Sequence, residues 1–166
     1  GNHGGGRQGG ERPAGMSADF LDTSALVKRY TPEIGTAKVD EIFADPAKEI
    51  RISRLGAVEW HSVLARKART GEITRGAYQK TRGRFYADVR TRRLRLAGWD
   101  QQCFRRGIRL LKQWGPTRAL RTLDALQLAA ALILHERGEL DRFVCADAAL
   151  CDVARAEGLN VLNPED

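Results

Sequence analysis

At 166 residues the chain suits a single domain, long enough to bury a core without disulfides or a structural metal. Its 42% hydrophobic and 30% charged residues are an ordinary soluble globular balance, and no apolar run is long enough to span a bilayer. The net charge of +7 is concentrated: Arg66 to Arg121 holds 17 Lys or Arg against Glu72, Asp88 and Asp100, a local +14 that leaves −7 for the rest.

A basic middle between acidic flanks suggests a polyanion-binding face near a separate acidic site, although Arg-rich helices also occur as plain solvated faces. The three cysteines, Cys103, Cys145 and Cys151, are odd in number and include no C-x-x-C pair. That argues against a disulfide framework and a zinc site, and for a reducing, cytoplasmic setting.

Residues 1–15 are Gly-rich and lack the apolar segment of a signal peptide, so they read as a disordered leader or cloning remnant ahead of Met16. Residues 16–166 are then one domain. Asp19-Phe20-Leu21 opens a short apolar strand, Asp22-Thr23-Ser24 forms a turn, and Ala25 to Tyr30 a helix that stops before Pro32. A second helix is expected over Gly35 to Phe43. Glu49 to Ser53 reads as a strand whose last residue caps the next helix, Leu55 to Arg69, with Gly71 as its stop.

Thr74 to Arg92 is a further helix, Leu94 to Leu96 a brief strand, and Asp100 to Trp114 a helix broken by Gly115-Pro116. Thr122 to His135 is apolar on nearly every face and belongs between layers. Arg142 to Ala146 is a strand, Ala148 to Glu157 a helix, and Asn160 to Asn163 a last strand. This alternation implies an α/β fold, with a parallel sheet covered on both faces.

Four acids fall at telling places. Asp22 and Asp147 directly follow apolar strands, Glu59 is early in the helix after the second strand, and Asp124 is in the first turn of the apolar helix. Functional groups of open parallel sheets gather outside the carboxyl ends of the strands, so all four are candidates for one crevice. Clustered carboxylates raise one another's pKa until a proton or cation intervenes. With no His or Cys among them, hard Mg²⁺ or Mn²⁺ is the natural counter-charge. Such an ion can activate water and stabilise phosphodiester displacement, and Ser24 can orient an acid through its hydroxyl. Singly, each Asp can also be explained as a helix cap, with Thr122 as the cap of the helix holding Asp124, and Glu59 as a surface residue.

The blocks Phe20-Leu21-Asp22-Thr23-Ser24-Ala25-Leu26-Val27-Lys28, Leu123-Asp124-Ala125-Leu126-Gln127-Leu128-Ala129 and Cys145-Ala146-Asp147 resemble the signature blocks of PIN domains. The branch most similar is the VapC-type toxins of bacterial toxin–antitoxin pairs, whose usual end resembles Gly158 to Pro164. The resemblance spans Met16 to Pro164. It implies a three-layer α/β/α fold with a mostly parallel central sheet, and Mg²⁺- or Mn²⁺-dependent endoribonuclease activity. It also implies homodimers, and inhibition by an antitoxin whose tail enters the acidic groove. Asp22, Glu59, Asp124 and Asp147 would be the metal-binding acids, with Ser24 as an accessory. Glu59 lies in the looser block Val58-Glu59-Trp60-His61, and Gln127 stands where such sequences often have His. Asp152, one turn beyond Asp147, is a possible fifth acid but reads better as a solvated residue.

Arg66, Lys67, Arg69, Arg75, Lys80, Arg82, Arg84, Arg90, Arg92, Arg93 and Arg95 are then candidates for holding RNA phosphates. Tyr78, Phe85, Tyr86 and Trp99 are candidates for base stacking, with core packing or a dimer contact the better reading of their spacing. An aspartyl-phosphate phosphatase of the haloacid-dehalogenase kind would need an Asp where this chain has Ser24. A housekeeping RNA-processing nuclease and a non-catalytic RNA- or partner-binding module are the alternatives, the second being disfavoured by the presence of all four acids.

Overall fold

All five expected strands lie in one sheet. The computed structural model describes residues 16–166, so the leader expected over 1–15 lies outside the described residues. In chain order the elements are β1 (Ser17–Leu21), α1 (Thr23–Tyr30), α2 (Thr36–Ala44), β2 (Lys48–Ser53), α3 (Arg54–Arg69) and α4 (Arg75–Arg90). They continue with β3 (Leu94–Ala97), α5 (Gln101–Trp114), α6 (Thr122–Glu136), β4 (Arg142–Val144), α7 (Ala148–Ala156) and β5 (Val161–Leu162). The strands run in the order β3-β2-β1-β4-β5, and every pairing is parallel.

Alternation along the strands divides the core into two layers. Phe20, Phe143 and Cys145 face α5, α6 and α7, and the rings of Phe20 and Phe143 stack at 5.9 Å. Leu21, Ile50, Ile52, Leu94 and Val144 face α1 to α4, where Trp60 stacks on Phe85 at 4.3 Å and meets Tyr30 edge-on. Helix α6 carries ten buried residues, from Asp124 to Leu134, as its all-round hydrophobicity predicts. This is the three-layer α/β/α arrangement.

Chain order reverses at β1: β2 and β3 extend the sheet to one side, β4 and β5 to the other. The switch point therefore lies between β1 and β4, where a crevice forms outside the carboxyl ends of the strands. Asp22 and Asp147 follow those two strands.

Element ends differ from the sequence reading in instructive ways. Helix α1 begins at Thr23 rather than Ala25, because the Asp22 carboxylate caps it by accepting from Ser24 N. Strand β4 stops at Val144, and Cys145 to Asp147 leave the sheet to start α7. The cap position of α6 is Arg121, not Thr122, and the Asp124 side chain bonds back to Arg121 N at 3.2 Å. Ser53 caps α3 as expected, accepting from Gly56 N at 2.7 Å.

Gly56 sets how closely α3 approaches α6. A Cβ there would lie 2.9 Å from Gln127 Oε1 and 3.2 Å from Ser53 Oγ. Gly to Ala inside a helix ordinarily stabilises by up to about 1 kcal/mol. Here Gly56→Ala is expected instead to destabilise by about 1–3 kcal/mol through overpacking. Urea denaturation reads the sign directly, and an unchanged or raised midpoint would show that α3 can move off α6.

Candidate active site

Asp22 is buried, and its two oxygens have different surroundings. Oδ2 accepts from Ser24 N at 3.0 Å and from Ser24 Oγ at 2.7 Å. Ser24 Oγ in turn accepts from Ala146 N at 3.0 Å, which ties the end of β1 to the segment after β4. Oδ1 is buried with no hydrogen-bond partner. Burial raises the Asp22 pKa most, with the negative charges of Asp124 and Glu59 adding to it and the Ser24 hydrogen bonds opposing, so that it is pushed up to about 6.

Asp124, also buried, stands in the first turn of α6. Its carboxylate receives Arg121 Nε at 3.0 Å and Arg121 Nη2 at 3.4 Å. Asp147 caps α7 through Oδ1, which accepts from Leu150 N at 2.9 Å. Its Oδ2 lies 3.6 Å from Arg121 Nη2. Glu59 Oε2 accepts from Thr23 Oγ1 at 2.8 Å and from the amide of the fully buried Gln127. The cap reading thus holds for Asp22 and Asp147 without excluding a site, because each cap engages one carboxylate oxygen and leaves the other outside it.

All four acids and Ser24 line one cavity of about 600 Å³. Arg66 and Lys67 line it too, as does the buried Lys28, which is held by Glu33 at 3.2 Å and Glu165 at 2.5 Å. Arg69 lines an adjoining apolar hollow that shares Glu59, Val63 and Arg66 with the acidic cavity. Lys80, Arg82 and Arg84 stand on α4 and line neither. Arg82 lies over the Tyr78 ring, while Arg84 lies over Tyr30 and donates to Arg29 O. Arg93 is committed elsewhere, donating to the carbonyls of Ile42, Phe43, Asp45 and Lys48 and so holding α2 to β2. Arg95 pairs with Glu49 at 3.4 Å.

Of the aromatic candidates, Phe85 is core, whereas Tyr86 and Trp99 are exposed. Asp152 is a solvated residue paired with Arg155. His61 packs against Trp60, Phe85 and Tyr86, away from the carboxylates.

Three residues that hold the acids have no role assigned to them from the sequence alone: Thr23, Arg121 and Gln127, the last noted only as standing where similar sequences often have His. Gln127 left a trace, as a polar residue three positions after Asp124 on an otherwise apolar helix. Arg121 was counted only within the basic segment.

An all-oxygen donor set and an unpartnered buried carboxylate oxygen suit a hard divalent cation. Among the described residues no three His, Cys, Asp or Glu side chains converge into a ready-made metal set. Protein donors hold the acids instead: Ser24 on Asp22, Gln127 and Thr23 on Glu59, Arg121 on Asp124 and Asp147.

No protein-family model and no curated protein sequence matches the chain. Solved structures do. VapC20 of Mycobacterium tuberculosis, described as a sarcin-ricin loop cleaving toxin, superposes with a TM-score of 0.61 at 15% identity, over 85% of this chain and 95% of that one. FitAcB from Neisseria gonorrhoeae gives 0.59 at 15% identity, over 88% and 97%. VapBC2 from Rickettsia felis, bound to a DNA fragment from its promoter, gives 0.58 at 16% identity, over 88% and 98%. The chain shares the fold of these structures, the PIN-like three-layer α/β/α fold.

Proposed function

We propose that the chain is a metal-dependent endoribonuclease acting as the toxin of a toxin–antitoxin pair, restrained by a cognate antitoxin. The observation that carries this reading is the cavity at the sheet's switch point, lined by carboxylates from four separate elements with Asp22 Oδ1 left unpartnered. The likeness to VapC20 and VapBC2 supports the toxin role, and the antitoxin would occupy this same cavity. The all-oxygen donor set supports Mg²⁺ or Mn²⁺ as the cofactor, and the likeness to VapC20, a sarcin-ricin loop cleaving toxin, supports RNA as the substrate.

Asp22, Asp124, Asp147 and Glu59 would hold the cation. When bound, it supplies an activated water and neutralises the charge that builds on the phosphodiester. Ser24 fixes Asp22 so that Oδ1 points away from its own helix cap. Thr23 and Gln127 fix Glu59. Arg66 and Lys67 line the cavity where strand phosphates would enter, and they position the RNA without reading its sequence.

The test is inducible expression of wild type and Asp22→Ala, followed by mapping of cellular RNA ends, with purified protein assayed beside it in Mn²⁺ and in excess EDTA. Growth arrest and new RNA ends are expected from the wild type alone, and cleavage is expected to stop with EDTA. Full cleavage in EDTA, or identical ends from both proteins, would overturn the reading.

A further inference from the structure

Arg121 lies on the acids rather than beside them. Nε donates to Asp124 Oδ2 at 3.0 Å, Nη2 to Asp124 Oδ1 at 3.4 Å, and Nη2 is 3.6 Å from Asp147 Oδ2. The Arg121 side chain is 72% exposed, so packing does not force this position. An exposed pair usually contributes little, but here the carboxylate of Asp124 is only 5% exposed and needs a counter-charge. Lys67, on the same cavity, turns instead to Glu72 at 2.9 Å.

The oxygens that Arg121 engages are the ones a cation would require. Asp147 Oδ1 is committed to Leu150 N, which leaves only Oδ2 free, and Arg121 faces it. Both oxygens of Asp124 are engaged by Arg121. A guanidinium lying across both carboxylates and a divalent ion bound by them would compete for the same negative charge, and the two cations would repel at such close range. The Arg121 backbone is held by its own bond to Asp124, so exchange requires only a swing of the side chain.

We infer that Arg121 is a built-in counter-ion of the acidic centre, which a divalent cation must displace before Asp124 and Asp147 can bind it. The inference rests on the metal-site reading above. It assigns to a residue of this chain the control of cation affinity. The guanidinium holds two acids in place without metal and sets the concentration at which metal takes over.

Calorimetric titration with Mn²⁺ at pH 7.5 tests this on wild type, Arg121→Gln and Arg66→Gln. Arg66→Gln removes the same charge from the same cavity, but from a side chain that does not grip Asp124 or Asp147. If Arg121 competes directly, Arg121→Gln binds Mn²⁺ about tenfold more tightly than wild type, while Arg66→Gln changes affinity by less than about threefold. Equal affinities for wild type and Arg121→Gln, or equal gains in both variants, would overturn the inference while leaving the metal site standing. Absence of Mn²⁺ binding from all three proteins would overturn both.

Discussion

Replacing Asp22 with Asn is expected to lower RNA cleavage by on the order of a thousandfold or more while stabilising the metal-free protein at neutral pH. Activity falls because the unpartnered Oδ1 loses its charge. Stability rises because that charge is buried. The folded pKa of Asp22 is about 6 against an ordinary 3.8, so the acid binds its proton more tightly folded than unfolded. Its contribution is therefore fully favourable below about pH 3.8 and is lost as pH rises through about 6. At pH 7 the ionised group costs about 3 kcal/mol, which the amide escapes while its own oxygen still accepts from Ser24. Thermal melts in EDTA should show the Asp22→Asn protein more stable by about 6–12 °C at about pH 7.5 and indistinguishable from wild type near pH 4. Parallel pH dependences in the two proteins would show that Asp22 is not a strained acid.

Gln127→Glu should have the second-largest effect. The Gln127 amide is fully buried and donates to both Glu59 and Thr23. A carboxylate there would face the Glu59 carboxylate without a cation between them. The expected loss is on the order of 3–5 kcal/mol at pH 7, the magnitude of an uncompensated buried charge. Protonation restores a donor, so the loss should shrink as pH falls toward about 5. Gln127→Leu removes the donor without adding charge, and should leave the fold near wild-type stability while cleavage falls about 10–100-fold, as for other residues that orient a ligand. A pH-independent loss in Gln127→Glu would mean that steric misfit, not charge, governs the position.

That Asp22, Asp124 and Asp147 could meet at one cavity was legible in the sequence because strand-to-helix junctions have a local signature, whereas Glu59 lies in a looser block. An apolar strand followed by Asp and a helix marks Asp22 and Asp147, and the start of an apolar helix marks Asp124. The partners of those acids were not legible. That Thr23 and Gln127 meet at Glu59 depends on the close crossing of α3 and α6 at Gly56, and no local pattern encodes it. The basic segment was read as one surface, but the structure separates it by direction. Arg66, Lys67 and Arg121 line the acidic cavity, Lys80, Arg82 and Arg84 stand on a different helix, and Arg93 is spent on backbone carbonyls. Charge composition suggests a polyanion-binding face without saying which arginines line it.

The parallel register also fixes the order in which the acidic centre can be assembled during synthesis. β1 can pair with β2 early, but its other neighbour, β4, begins at Arg142, more than a hundred residues downstream. Such distant pairings form late and slowly. Until β4 docks, Ser24 lacks the Ala146 amide that stitches it in place, and Asp147 has no fixed position. A ribosome-bound chain can therefore build most of the α1 to α4 layer and still have no complete set of acids. The cavity closes only when the last quarter of the protein arrives.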